Sequence, residues 1–128
     1  LKLFYTELPV GKSGIPLDDH DRSEWLQSIL LKINESNKNK GSIFACSALK
    51  EKYRKILSNS YKSDVKFIFL KINKTEAKKR IKMRMDHFFP LKLLNNQFQI
   101  LEEPSDAIEI NAENDIELVC DDLLEKIM

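Results

Sequence analysis

Apolar residues recur along the chain with two different periods, and their alternation predicts helices separated by strands. Continuous apolar runs at residues 42–46 and 65–72 are typical of buried parallel strands, and residues 107–110 predict a further short strand. Apolar positions three and four apart predict helices at residues 19–33, 49–57, 75–84, 91–101 and 114–128. Residues 1–10 show no clear period, so we expect an extended or irregular lead-in.

This order of elements predicts an α/β fold, a parallel sheet flanked by helices on both faces. Three predicted strands make a narrow sheet, since sheets usually contain about four to six strands. The closing helix is expected to turn Ile116, Val119, Leu123, Leu124 and Ile127 inward. We expect the 128 residues to form one domain.

Composition narrows the classes of partner. A net charge of +1, from 21 basic and 20 acidic residues, gives no electrostatic reason to expect a nucleic-acid or anionic-membrane partner. No apolar run is long enough to span a bilayer and no signal-peptide pattern is present, so we expect a cytoplasmic protein. Cys46 and Cys120 lie far apart in the sequence, which favours reduced thiols.

Candidate chemistry begins where the strand at residues 42–46 passes into a helix. Lys50 and Arg54 are four positions apart and therefore share a face of that helix. Ligands of open α/β sheets bind beyond the carboxyl ends of strands, where helices present unpaired N–H groups to anions. This cationic pair suits a carboxylate or phosphate, and the alternative is a solvated surface face.

Residues 11–14, GKSG, look like the end of a phosphate-binding loop but do not complete one. The loop pattern G-x-x-x-x-G-K-S/T requires glycine at position 6, which is Thr6, and Pro16 follows where a helix should begin. We therefore predict a flexible turn at residues 11–14.

Four stretches of the chain follow one family pattern. Residues 13–26 match SGxPLxDxDRxPWL, with Glu24 where proline is usual, and residues 45–57 match ACSALKxxYRxxL. Residues 84–90 match RxGHFxP with Asp86 replacing glycine, and residues 93–104 match LLxSQFxxLEEP with Asn96 replacing serine. The sequence thus resembles the gluconokinase family, small P-loop kinases that transfer the γ-phosphate of ATP to D-gluconate.

The resemblance implies a P-loop, adenylate-kinase-like fold, ATP and Mg²⁺ as cofactors, and 6-phospho-D-gluconate as product. Members of the family begin with a strand, a GxxGxGKS-type loop and a helix, which these 128 residues do not contain. We therefore expect a single domain over residues 1–128 that is partial relative to the family, with a lid at residues 85–90. A chain without the phosphate-binding loop is expected to be inactive as written.

The resemblance also implies roles for particular residues. Arg22, Lys50 and Arg54 are expected to bind the carboxylate and hydroxyls of gluconate, because an arginine fork matches a carboxylate bidentately. Arg84 is expected to be catalytic, closing over the transferring phosphoryl group. Arg80, Arg84 and His87 are expected to bind the nucleotide, although His87 is equally well explained as a residue that packs the lid. No metal ligand is assigned.

Three alternatives remain open at this point. The chain could be a non-catalytic fragment or a regulatory subunit that pairs with a full-length kinase, and a homodimer is also open. It could be a nucleic-acid-binding module that uses residues 78–84, although no aromatic residues interleave that basic run. It could also be a kinase of the shikimate or adenylate type, although these lack the ACSALK string.

Overall fold

The computed structural model describes residues 2–5, 19–35, 41–59, 65–83 and 91–127. The elements in chain order are β1 (Lys2–Tyr5), α1 (Asp19–Glu35), β2 (Ser42–Ala45), α2 (Glu51–Ser58), β3 (Ile68–Lys71), α3 (Lys74–Met83), α4 (Leu91–Ile100), β4 (Ile108–Asn111) and α5 (Ile116–Ile127). They divide into two compact units. The first is Leu1–Lys62 with Ile100–Glu102, and the second is Ser63–Gln99 with Glu103–Met128. The single domain over residues 1–128 stays a prediction.

The first unit combines a parallel strand pair with two packed helices. β1 and β2 pair in register from Lys2↔Ser42 to Tyr5↔Ala45. α1 packs against α2, and the buried apolar residues of this unit are Trp25, Leu26, Ile29, Tyr53 and Leu57. Burial of each such side chain contributes about 1.5–3 kcal/mol. The helical periods predicted for α1 and α2 are confirmed.

Residues 2–5 form the strand β1, which agrees with the extended form of the extended or irregular lead-in predicted for residues 1–10, although no strand was predicted there. The residues of β1 do not alternate between polar and apolar, so they carry little of the signal that marks a half-buried strand. Their pairing partner, β2, lies far away in the sequence. The strand is therefore set by a long-range contact that the local pattern does not contain.

The second unit contains the other parallel pair. β3 and β4 pair in register from Ile68↔Ile108 to Lys71↔Asn111, and α5 packs against β4. Its buried apolar residues are Ile110, which is 0% exposed, and Leu93 and Leu94 of α4. The predicted alternation of strands and helices and the parallel pairing of strands are confirmed.

The expectation that the strands at residues 42–46 and 65–72, observed as β2 and β3, are buried was wrong. Ile43 of β2 is 49% exposed, and Ile68 and Leu70 of β3 are 39% and 52% exposed. β3 is also shorter than its prediction, spanning Ile68–Lys71 within residues 65–72. Among the residues described, β2 pairs with β1 and β3 pairs with β4, so each of these strands has a hydrogen-bonded neighbour along one edge.

α5 also differs from its predicted packing. Ile116, Leu124 and Ile127 were expected to face inward but are 78%, 55% and 37% exposed. Val119 and Leu123 are half-buried and form the inward side of the helix. Along the described parts of the chain, no helix is long and apolar enough to span a bilayer.

Candidate functional site

The start of α2 is built by a loop that follows β2. Lys50 is the residue before the helix, with an extended backbone (φ −108°, ψ 148°), and its carbonyl accepts from the N–H groups of Tyr53 and Arg54 at 3.0 and 3.2 Å. This geometry turns the chain sharply from strand to helix. It places Lys50, Lys52 and Tyr53 near the first residue of α1.

Asp19 lies at the centre of this arrangement. Its Oδ1 accepts from Lys50 Nζ at 3.0 Å and from the Tyr53 hydroxyl, while its Oδ2 accepts from Lys52 Nζ. Asp19 is the first residue of α1, where a negative charge is also favoured by the helix dipole. We call Asp19, Arg22, Lys50, Lys52 and Tyr53 the Asp19 cluster.

Arg22 joins the cluster through the ring of Tyr53. Its Cζ lies 5.9 Å from the ring centroid, and the Nζ atoms of Lys50 and Lys52 each lie 5.8 Å from the same centroid. Arg22 is only 3% exposed, and its Nε is buried without a hydrogen-bond partner in the described structure. A buried guanidinium with an unused donor is stabilised by an anionic partner.

The cluster carries an excess of positive charge. The three cations Arg22, Lys50 and Lys52 lie around one ring, and Lys50 and Lys52 pair with the single carboxylate of the cluster, so the formal charge of the cluster is +2. A site with this charge, a phenol donor and partial access to solvent suits a small acid.

Hydrogen bonds fix the ionisation states of the cluster. Bonds from Lys52, Tyr53 and Lys50 hold the pKa of Asp19 well below its ordinary value of 3.8. The bond to Asp19 raises the pKa of Lys50, and burial, followed by the bond to Asp19, raises the pKa of Tyr53. At neutral pH Asp19 is therefore ionised, Lys50 is charged, and Tyr53 is a neutral donor.

Arg54 is directed toward acceptors of the protein itself. Its Nη1 donates to the carbonyl of Ala48 at 2.7 Å, and its Nη2 donates to the carbonyl of Glu102 at 2.7 Å and to Glu51 Oε2 at 3.1 Å. The side chain is 5% exposed, and only its Nε is left without a partner among the residues described. The structure thus brings Arg22 and Lys50 together around Tyr53, whereas the role of Arg54 toward a substrate stays a prediction.

Glu102 occupies the site that the sequence assigned to an anionic ligand. Its Oε1 accepts from the N–H of Glu51 at 2.9 Å, and its own N–H donates to the carbonyl of Leu49 at 2.8 Å. The carboxylate thereby satisfies one free donor of α2 and complements the dipole of the helix. The carboxylate of Glu102 therefore occupies part of the expected anion site at the start of α2.

Arg80 belongs to the second unit and fastens α3 to the turn after β4. Its Nε donates to Glu76 at 3.1 Å, and its Nη atoms donate to the carbonyls of Ala112, Glu113 and Asn114 at 2.6, 2.9 and 3.4 Å. These contacts give Arg80 a positioning role, and its contact with a nucleotide stays a prediction. Arg84, His87, the lid at residues 85–90 and the turn at residues 11–14 lie outside the described residues.

A cavity of about 290 Å³ lies in the second unit at the carboxyl ends of β3 and β4. Its lining residues are Lys71, Ile72, Asn73, Glu109, Asn111 and Glu113. Lys71 pairs there with Glu109 at 3.8 Å and with Glu103 at 3.2 Å. The lining contains one lysine and two glutamates and therefore has a net negative formal charge, in contrast to the positively charged Asp19 cluster.

Sequence reasoning missed the polar roles of Asp19, Lys52, Tyr53 and Glu102. It gave Asp19 and Tyr53 only as members of predicted helices and of the family patterns. The phenol hydroxyl was the available signal, because a buried tyrosine normally finds a hydrogen-bond partner. Cys46 is half-buried, and burial raises the pKa of its thiol, which agrees with its interpretation as a packing residue.

The described residues do not fit a protein-held Mg²⁺ site. They contain no group of three or more His, Cys, Asp or Glu side chains placed to hold a metal ion. The sequence has no complete G-x-x-x-x-G-K-S/T loop either. No role in Mg²⁺ binding is therefore assigned to the described residues.

The known proteins that the chain resembles in sequence and in structure include several gluconokinases. The chain is 41% identical over 110 residues to a probable gluconokinase of Saccharomyces cerevisiae, covering 83% of this chain and 55% of the relative. It is 35% identical over 124 residues to the thermoresistant gluconokinase of Escherichia coli, covering 90% of this chain and 68% of the relative. Its structure matches that of a gluconokinase from Sinorhizobium meliloti with a TM-score of 0.81 at 26% identity, covering 96% of this chain and 74% of that one.

No protein-family model matches the chain. The chain spans little more than half the length of the yeast relative and about two thirds of the length of the bacterial one. The matched structure adds the fold class, since the helices and parallel strands of this chain superpose on those of a sugar kinase of the P-loop type.

Proposed function

Because the chain belongs to the gluconokinase family, we propose that it serves the ATP-dependent phosphorylation of D-gluconate to 6-phospho-D-gluconate. The observation that carries this proposal is the Asp19 cluster. Among the residues that the structure describes, it has a formal charge of +2 and a neutral phenol donor, which suit the carboxylate that distinguishes gluconate from a neutral sugar.

Arg22 and Lys50 are the proposed ligands of that carboxylate. Arg22 supplies a buried donor without a partner among the described residues, and the side chain of Lys50 is 23% exposed and therefore open to a ligand. Binding at one end of the acceptor orients its hydroxyls toward the phosphoryl donor, which is the main task of a kinase. Arg54, whose terminal nitrogens bond to the protein, supports this site by holding the first turn of α2.

The nucleotide side of the proposal rests on the resemblance of residues 84–90 to the family lid. Family membership implies that ATP is the phosphoryl donor, with Mg²⁺ as its usual counter-ion. Arg84 would neutralise charge on the transferring group, and Arg80, Arg84 and His87 would contact the nucleotide. Arg84→Ala should then lower kcat with little change in the KM for gluconate, and a fully active variant would return Arg84 to an ordinary surface role.

A coupled assay of ATP-dependent gluconate phosphorylation tests the proposal. The assay compares this chain with the same chain joined at its start to a phosphate-binding segment of the family. Phosphorylation by the joined chain supports the proposal. Gluconate binding without phosphorylation by either protein would favour the non-catalytic alternative instead.

Two substitutions on α2 localise the acceptor site. Lys50→Gln removes a charge from the Asp19 cluster, whereas Lys55→Gln removes a charge from an exposed position of the same helix. In the joined chain, we expect Lys50→Gln to raise the KM for gluconate about tenfold, since hydrogen bonds to charged groups contribute roughly 1.5–3 kcal/mol. Lys55→Gln should leave it unchanged. Equal kinetics in the two variants would exclude Lys50 as a ligand.

A further inference from the structure

The Asp19 cluster already contains a carboxylate. The side chain of Asp19 accepts from Lys50 Nζ, from Lys52 Nζ and from the Tyr53 hydroxyl, and it is itself 47% exposed. These donors are the ones that a carboxylate ligand would need at this site. A ligand can therefore reach Lys50 and Tyr53 fully only if the bonds to Asp19 are given up.

We propose that Asp19 is a specificity-determining residue whose carboxylate occupies the anion position of the free protein and is exchanged for the carboxylate of the acceptor. This inference rests on the proposed function, because it takes D-gluconate as the ligand of the cluster. Exchange preserves the number of charge-assisted bonds at Lys50 and Tyr53. A neutral polyol would break those bonds without replacing them, so the cluster discriminates against it.

The geometry of the cluster makes such an exchange feasible. Two of the three donors to Asp19 are lysines with flexible side chains, of which Lys52 is 55% exposed, and the third is the hydroxyl of the buried Tyr53. Arg22 is buried with its Cζ 5.9 Å from the Tyr53 ring centroid, and its Nε has no hydrogen-bond partner among the residues described. An incoming carboxylate therefore gains a donor that Asp19 leaves unused.

Removal of the Asp19 charge should tighten the binding of an acid. In the Asp19→Asn variant, an acidic ligand no longer competes with an internal anion and no longer meets a like charge. Two unit charges about 4 Å apart interact by roughly 1 kcal/mol even at the dielectric constant of water, which corresponds to a factor of about five. We therefore expect the Kd for D-gluconate to fall about fivefold or more.

Isothermal titration calorimetry of the whole chain tests this expectation. D-gluconate and D-glucitol, its neutral analogue without the carboxylate, are titrated into the parent chain, Asp19→Asn and the control Glu24→Gln. Glu24 is an exposed acid on the same helix, outside the cluster. We expect tighter binding of D-gluconate only in Asp19→Asn, with no gain for D-glucitol in any variant.

The outcomes separate the exchange from the proposed function. If the parent chain binds D-gluconate and Asp19→Asn binds it equally or more weakly, the exchange is refuted while the proposed function stands. If D-gluconate binds to neither protein, both are refuted. An equal gain in Glu24→Gln would reduce the effect to overall charge and would also refute the exchange.

A measurement on the parent chain covers the case in which Asp19→Asn does not fold. The ¹³C resonance of the Asp19 side-chain carboxyl is followed during the addition of D-gluconate, with that of Glu24 as reference. Exchange predicts that the Asp19 resonance moves toward that of a free aspartate while the Glu24 resonance stays in place. A stationary Asp19 resonance at saturating D-gluconate would overturn the proposal.

Discussion

Arg54 is predicted to stabilise the first unit by joining the start of α2 to the segment around Glu102. Substitution by methionine keeps the aliphatic part of the side chain and removes the guanidinium. The lost bonds are those to the carbonyls of Ala48 and Glu102, both 2.7 Å long, and the ion pair with Glu51. Arg54→Met should therefore destabilise the protein without creating a large cavity.

The magnitude follows from the surroundings of each bond. The pair with Glu51, whose side chain is 46% exposed, contributes about 0.3–0.5 kcal/mol. Each charge-assisted bond to a carbonyl contributes about 1.5–3 kcal/mol, reduced here because water partly replaces it when the guanidinium is removed. The free energy of unfolding should fall by about 3 kcal/mol. With an m-value of about 1.5 kcal/mol per molar urea, the midpoint should fall by about 2 M.

Equilibrium unfolding in urea, followed by circular dichroism, measures this change. The matched control is Lys55→Met, which alters the next, exposed residue of α2 and should change stability by less than about 0.5 kcal/mol. Arg54→Lys should be nearly as unstable as Arg54→Met, because one ammonium cannot span three acceptors. Equal stability of Arg54→Met and Lys55→Met would refute the structural role of Arg54.

Three further predictions concern the two units separately. Tyr53→Phe removes the hydroxyl that bonds to Asp19 and should lower the free energy of unfolding by about 1 kcal/mol in urea titrations, with little effect in an Asp19→Ala background, which lacks the acceptor. The pKa of Asp19 is lower in the folded state, so its contribution to stability is present above the unfolded value of 3.8 and is lost as the pH falls from that value toward the lower pKa of the folded state. The difference in Tm between the parent chain and Asp19→Asn should therefore shrink from pH 7 to pH 3, and a constant difference would contradict the assignment. Arg80→Met should release the turn after β4 and destabilise the protein by about 1–2 kcal/mol, whereas Lys79→Met, at an exposed neighbour, should not.

The helices of this chain were predictable because their signal is local. The apolar stripe of α1 through Trp25, Leu26 and Ile29 repeats every three or four residues, and those residues are buried. The turn from β2 into α2 followed from a change of period within a few residues. Both features depend on side chains that are close in sequence, so they can be read without knowledge of distant contacts.

Burial of the strands was not predictable, because it depends on the number of neighbours that a strand has. The apolar runs of β2 and β3 have the composition of strands covered on both faces, yet Ile43 and Leu70 are about half exposed. Ile116 on α5 is likewise apolar and exposed, because no other element covers it among the residues described. An amphipathic pattern shows that a face is apolar, but the pattern cannot show whether that face is covered.

The candidate site was predicted in part. Arg22 and Lys50 were expected to lie together, and they meet at the ring of Tyr53 although they belong to different helices. The internal acceptors were missed, because Asp19 reaches Lys50 across 31 positions and Glu102 reaches Glu51 across 51 positions. These internal acceptors are brought close only by the fold. They determine which cations and N–H donors can still bind a ligand.

A crystal structure of the chain with D-gluconate tests the central claim most directly. The account predicts the carboxylate of gluconate within hydrogen-bonding distance, about 3 Å, of Lys50 Nζ and the Arg22 guanidinium. The Asp19 carboxylate should then have left Lys50. Gluconate bound elsewhere, with the bond from Lys50 to Asp19 intact, would contradict the claim that the Asp19 cluster is the acceptor site.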